Sequence, residues 1–320
     1  MESTSILHNL SLVLGATVLS VLGPSMLRLF PDGSIGNFIL LMLAVFLLLY
    51  GFGAIEKIQS ETRIRLRNSR FICPKVGILN GVSRNFKSEI PMVWSDIYPQ
   101  EWKHEIEEIS KTLGKKIKVK LVFASDSFES YNAILNPYGG NYPETSFDNF
   151  PVYTKILNYI KNRGLFVNIA DIPTYWTYNP RLKRMLDRTP AVYSVSGEEV
   201  RFFNRVPLMQ ELAIRVQNIE KLQSTILPFK MLDRYNALGV DMTTFRASRA
   251  ACIEGNVESV VQPIRVGEQD MTPLFFCNYG DGRCLISLSF LKDAFSQNHP
   301  LKTVIAKLVV DQLLNVSKDN

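Results

Sequence analysis

YNAILNPYGGNYPE (Tyr131–Glu144) and GLFVNIADIP (Gly164–Pro173) decide how the larger part of this chain is read. Each is a short apolar run that gives way to turn-forming and polar residues, at Asn136-Pro137 in the first and Asp171 in the second. Between them, Phe150–Lys161 places Tyr153, Ile156, Leu157 and Ile160 at helical spacing, and Gly164 closes the segment. Strand, helix and strand in that order predict a parallel pair with the helix as its crossover.

The same alternation extends towards the N-terminus. Lys75–Asn80 (KVGILN) reads as a short strand, and Tyr98–Leu113 as a helix carrying Trp102, Ile106, Ile109 and Leu113 on one face. Ile117–Ala124 (IKVKLVFA) alternates and then turns apolar, as a strand does. The succession predicts an α/β domain with a doubly wound, mostly parallel sheet. In such sheets ligands sit beyond the carboxyl ends of the strands, so the residues just after each strand are the candidates for a site.

The middle of the chain is less regular. Arg181–Asp187 reads as a short helix, Val192–Phe203 as edge strands around Gly197, and Leu208–Leu222 as an amphipathic helix. Glu258–Val266, Thr272–Asn278 and Arg283–Ser289 read as late strands, the last two joined by the turn signal Tyr279-Gly-Asp-Gly282. Leu301–Leu314 (LKTVIAKLVVDQLL) reads as a closing amphipathic helix.

Ahead of all this stand two apolar segments, Ser3–Leu27 and Ser34–Ile55, neither with a charged residue; Phe38–Tyr50 is almost wholly apolar. About 20 helical residues cross a hydrocarbon core. The pattern predicts an N-terminal transmembrane helical hairpin over 1–56, a basic juxtamembrane linker over 57–70 and the α/β domain over 71–320. A cleaved signal or an interfacial helix are alternatives for the first segment, although no basic residue precedes its apolar run. Lys57, Arg63, Arg65, Arg67, Arg70 and Lys75 follow the second segment against Glu56 and Glu61, whereas the short link offers Arg28. The positive-inside rule then gives a multi-pass protein of the cell membrane with its C-terminal domain cytoplasmic and the lipid bilayer as a partner. The net charge of +6 is largely this excess, so no nucleic-acid partner is expected.

The four cysteines (Cys73, Cys252, Cys277, Cys284) show no ligand spacing, and Cys277 and Cys284 read as buried thiols. His8, His104 and His299 are scattered. No metal and no cofactor is expected.

The candidate ligand-binding residues follow from the strand ends. Asn136, Tyr138, Gly139, Gly140, Tyr142 and Glu144 form a glycine-containing loop directly after a strand; its backbone N–H groups suit an anion or carbonyl oxygen. An ordinary turn explains the same residues. Asp171 emerges at the end of the next strand, with Tyr175 and Trp176 placed to stack on a flat ligand; a helix-capping aspartate beside two core aromatics is the plainer alternative. Asn80 and Gly81, after the first strand, are a further candidate and also a common turn.

The order GILNG, YNAILNPYGGNYPE, a helix, GLFVNIADIP and the late NYGDGRCLISLSFL resembles class I glutamine-amidotransferase-like domains over about Pro74–Ala170 and Met271–Leu314. The resemblance implies a flavodoxin-like fold. Amidotransferases carry a nucleophilic cysteine on the turn after the strand matching Leu165–Ala170; this chain has Ala170-Asp171 there and no His-x-Glu pair to complete a triad. Thiolate attack needs the thiolate and an orienting base, so glutaminase activity is not expected and no catalytic residue is assigned.

The leading expectation is therefore a membrane-anchored, non-catalytic amidotransferase-like pseudoenzyme. It would bind a small-molecule ligand or a protein partner as a sensor, effector or signalling component, and a homo-oligomer would serve the same end. The rivals are a membrane-bound hydrolase using Asp171 or Glu144 and a scaffold with a vestigial pocket.

Overall fold

In the computed structural model, the structure describes residues 73–84, 90–145, 149–179, 184–186, 192–195, 198–201, 208–219, 226–240, 242, 244–291 and 300–315. In chain order these form β1 (Lys75–Leu79), α1 (Pro99–Thr112), β2 (Lys118–Val122), β3 (Ala133–Asn136), β4 (Asn141–Pro143), α2 (Pro151–Lys161) and β5 (Leu165–Asn168). Short elements follow: β6 (Trp176–Asn179), β7 (Arg184–Leu186), β8 (Val192–Val195), β9 (Glu198–Arg201), α3 (Leu208–Glu211), β10 (Val216–Asn218), β11 (Ile226–Pro228) and α4 (Asp233–Asn236). The chain closes with β12 (Thr244–Arg246), β13 (Arg249–Cys252), β14 (Glu258–Ser259), β15 (Ile264–Val266), β16 (Gln269–Thr272), β17 (Leu274–Tyr279), β18 (Gly282–Ser287) and α5 (Pro300–Asn315).

One seven-stranded sheet, in the order β14-β17-β18-β5-β3-β1-β2, organises the core. β2, β1, β3, β5 and β18 run parallel; β17 pairs antiparallel with β18, and β14 antiparallel with β17. On one face Val76, Leu135, Val167 and Leu285 pack with Trp102 and Ile106 of α1 and with Val304, Ile305 and Leu308 of α5. On the other, Ile134, Phe166, Cys284 and Ile286 pack with Val152, Tyr153, Ile156 and Ile160 of α2. Being covered on both faces explains why β1, β3 and β5 read as continuous apolar runs rather than alternating ones.

Local chemistry sets the helix ends. Pro99 stands at the start of α1, and the Glu101 side chain accepts the Tyr98 backbone N–H at 3.2 Å. Pro151 starts α2 in the same way. Lys302 of α5 meets Glu105 of α1 at 3.1 Å, with Lys302 only 6% exposed, and the Thr303 hydroxyl donates to the same carboxylate at 2.6 Å.

The expected fold class requires correction. The rest of the chain adds sheets of four, three, two and two strands. Eight of the thirteen strand pairings among the described residues are antiparallel (five parallel). Among the described residues the architecture is a mixed sheet with few helices, none long and apolar enough to span a membrane, and this corrects the expected class of a spanning hairpin followed by a doubly wound, mostly parallel domain. The physical reason is connection length: between Asp171 and Pro300 the described residues hold only the four-residue helices α3 and α4, too short for crossovers, and antiparallel pairs need only short turns. Of the predicted helix over 181–187 the described residues 184–186 form β7, and of that over 208–222 the described residues 208–219 form the single turn α3 followed by β10.

The apolar segments 3–27 and 34–55 lie outside the described residues. Among the described residues no helix is long and apolar enough to cross a membrane. The expected multi-pass membrane location with a cytoplasmic domain is corrected on that finding and plays no part in the functional reading.

Candidate functional site

The strand ends on the carboxyl side of the large sheet converge on an asparagine clasp. Asn136 and Asn168 are register partners at the ends of β3 and β5. The Asn136 Nδ2 donates to Asn168 Oδ1 at 2.9 Å and to the Asn141 carbonyl at 2.8 Å, and the Asn168 Nδ2 donates to the Asp171 carbonyl at 3.1 Å. Asn141 in turn donates to the Pro91 carbonyl at 3.2 Å. These side chains are fully buried, so their pairing satisfies amides that would otherwise be costly to bury.

The glycine loop is occupied by protein. A Cβ at Gly139, where φ is +69°, would stand 1.8 Å from the Val93 carbonyl oxygen. One at Gly140 would stand 2.9 Å from Asp171 Oδ2. The glycines therefore permit close approach of the 91–95 segment and of Asp171. Tyr138 is buried, which pushes its hydroxyl well above the ordinary tyrosine value against an opposing backbone hydrogen bond from Gly81. Asn80 donates its backbone N–H to the Val122 carbonyl at 2.8 Å, continuing the β1–β2 pairing.

Glu144 caps α2. Its carboxylate accepts backbone N–H groups from Thr145 (2.7 Å), Val152 (3.0 Å) and Tyr153 (3.1 Å), and the Tyr142 hydroxyl at 3.2 Å. An acid at a helix N-terminus satisfies donors that have no partner inside the helix. Burial still pushes the Glu144 carboxyl above the ordinary carboxylate value, against the pull of those four donors.

After β5 the chain turns sharply through three non-glycine residues with left-handed backbone, Ala170 (φ 51°), Asp171 (φ 73°) and Thr174 (φ 55°). Such conformations persist where the surroundings over-determine them. Asp171, 4% exposed, forms an ion pair with Arg249 at the start of β13, which is 30% exposed. Sequence reasoning did not find Arg249, Asn141 or Asn168. Arg249 lies 78 residues from Asp171, and no local pattern announces such a pair.

The turn also forms one wall of a cleft of about 470 Å3, lined by Ile172, Tyr175, Met209, Gln210, Ala213, Ile214, Arg215 and Val216. Tyr175 packs edge-on against Trp176, with ring centroids 5.0 Å apart, and the Trp176 backbone N–H donates to the Gly140 carbonyl at 2.8 Å. The opposite wall is made where α3 ends. The Ile214 N–H reaches the Met209 carbonyl (2.8 Å) and the Ala213 N–H reaches that of Gln210 (3.0 Å), with Ala213 left-handed at φ 55°. This is the hydrogen-bond pattern of a Schellman stop, built with alanine where glycine is usual. Of the candidates from the sequence, Tyr175 lines the cleft. Asn136, Tyr138, Gly139, Gly140, Tyr142, Glu144 and Asp171 lie in the interior beside it.

Among the described residues no three histidine, cysteine, aspartate or glutamate side chains gather as a metal site. Cys277 and Cys284 face each other across β17 and β18, buried and unbridged. Their mutual hydrogen bond, with burial, pushes the Cys284 thiol well up, away from the reactive thiolate.

No family model and no curated protein matches the chain. Among solved structures it is similar to a cold-adapted β-galactosidase from Rahnella sp. R3 (15% identity, TM-score 0.39, 75% of this chain and 31% of that one). It is also similar to an exo-β-1,4-mannosidase from Opitutaceae bacterium strain TAV5 (8%, TM-score 0.37, 86% and 38%). A third similarity is to PurLQS from Thermotoga maritima (12%, TM-score 0.33, 76% and 99%). The chain spans about a third of the length of the β-galactosidases. The glycosidases are enzymes, but likenesses of this size do not decide whether this chain is one. The comparisons return glycosidases and PurLQS where the sequence motifs suggested an amidotransferase-like domain behind a membrane anchor. That expectation, and the membrane pseudoenzyme and membrane-bound hydrolase built on it, are corrected accordingly.

Proposed function

We propose that the domain holds a small, largely apolar ligand in the cleft between the turn after β5 and the α3–β10 segment. The observation that carries this reading is the cleft itself. Its volume of about 470 Å3 lies within the range of small-molecule sites. Its lining combines an aromatic ring (Tyr175), a flexible thioether (Met209) and three aliphatic side chains (Ile172, Ile214, Val216) with a few polar groups. The asparagine clasp and the Asp171–Arg249 pair support it by fixing the turn that carries Ile172 and Tyr175.

Binding without turnover fits the carboxylates best. Glu144 is committed to four donors, two of them at the α2 N-terminus, and Asp171 to Arg249. General acid–base work needs a carboxyl within reach of the substrate's proton, and these face the interior.

The test incubates the full chain with a cell metabolite extract and follows by mass spectrometry what is retained and what is consumed. Wild type is compared with Val216→Trp, which fills the cleft, and Tyr175→Ala, with thermal melts to confirm folding. A compound retained by wild type and lost in both variants is the expected result. Equal retention by Val216→Trp, or no retention, overturns the cleft as the site. A compound consumed by wild type overturns the non-catalytic part.

A further inference from the structure

Resting on the reading of the cleft as a ligand site, we infer that its ligand carries a carboxylate, taken by Arg215 in exchange for Glu254. Arg215 is the one charged residue lining the cleft among the described residues. Its guanidinium lies against the Glu254 carboxylate at two points, Nε to Oε1 at 3.3 Å and Nη2 to Oε2 at 3.4 Å. That planar, two-point fork is the geometry by which arginine recognises any carboxylate.

The pair is weakly held. Both side chains are about half exposed, 51% and 53%, and solvent screens such exposed pairs so that they add little to stability. A ligand carboxylate that replaces Glu254 therefore keeps the fork's hydrogen bonds at little cost. The backbone around the arginine is firmer than its side chain. The Cys252 N–H donates to the Arg215 carbonyl at 2.9 Å, and β10 pairs with β13 immediately beyond. Glu254 sits two residues past the end of β13, on the strand partner of Arg215's own segment. Arginine and competitor are thus fixed next to each other, beside an apolar cleft whose other lining side chains are Gln210, Ala213 and the apolar group already named. An apolar body in the cleft with an acid group at Arg215 satisfies both.

The probes are 3-phenylpropanoate, 3-phenylpropanamide and 3-phenylpropanol, which share one apolar body. Each is titrated by calorimetry and ligand-observed NMR into the full chain and its Arg215→Gln and Glu254→Gln variants. The acid is expected to bind wild type about tenfold more tightly than the amide or alcohol. Arg215→Gln should erase that difference, and Glu254→Gln should tighten the acid several-fold by removing its competitor. If the three probes bind alike and Arg215→Gln changes nothing, the carboxylate inference fails while the cleft stands. If none binds saturably to wild type or to Glu254→Gln, the inference and the cleft fall together.

Discussion

The carboxyl ends of β3 and β5 and the α3–β10 segment lie on two sides of one turn, and they are built in opposite ways. At the strand ends polar groups are buried and paired: Asn136 to Asn168, Asn168 to the Asp171 carbonyl, Asp171 to Arg249, and Glu144 to the α2 N-terminus. At α3–β10 apolar side chains line an open cleft and the charged pair is exposed. In this chain the residues whose chemistry looks functional hold the interior, and the open space is lined by residues that look ordinary. Buried, satisfied polar groups position a backbone; an accessible apolar hollow can accept a ligand.

The largest effect on either side belongs to the shared core. Phe166 is fully buried in the middle of β5, and Phe166→Ala should cost about 3–5 kcal/mol in urea unfolding, disturbing clasp and cleft alike. Loss of less than about 1 kcal/mol would mean that β5 is not the common support.

Arg249→Ala comes next. It strips the buried Asp171 carboxylate of its partner, and hydrogen bonds to charged groups contribute about 1.5–3 kcal/mol. Glu254→Ala, at the exposed pair beside the cleft, should change stability by no more than about 1 kcal/mol. Equal effects from the two variants would erase the contrast between locked and open sides.

A pH series separates the regions further. The folded value of Glu144 is raised by burial, so folding favours its protonated form. Its contribution is complete below the ordinary carboxylate value and is lost as pH rises through the folded value. Relative to Glu144→Gln, wild type should therefore lose stability as pH rises through and above the carboxylate range, read from denaturant midpoints at each pH. A difference that grows in favour of wild type on that rise would mean that the helix N-terminus outweighs burial.

The smallest effect sharpens the cleft side. Ala213 takes a left-handed conformation that costs an L-residue roughly 1–2 kcal/mol, partly offset in glycine by greater chain entropy. Ala213→Gly should raise stability by less than about 1 kcal/mol and leave the cleft in place, as measured by thermal melting with probe binding. Destabilisation would show that the Schellman stop is not what ends α3.

The same contrast explains what the sequence made legible. β1, β3, β5, α1, α2 and α5 were readable because apolar runs and helical spacing are local signals, punctuated by Pro99, Pro151 and Gly164. The 208–222 segment misled because Leu208, Met209, Leu212 and Ile214 fit a helical face. The structure ends the helix at Glu211 and gives Val216–Asn218 to the edge of β13, a tertiary partner outweighing local preference. For the site, Tyr175 was readable as an aromatic after a strand. Arg249 and Arg215 were not, since their roles rest on partners 78 and 39 residues away.

The most direct test of the central claim is hydrogen–deuterium exchange of the full chain with and without a concentrated cell metabolite extract. A ligand in the cleft should slow exchange in 172–176 and 208–216, leaving 136–144 unchanged because it is already buried and paired. Slowing confined to 136–144, with the cleft segments unaffected, would place the ligand at the clasp and contradict the account.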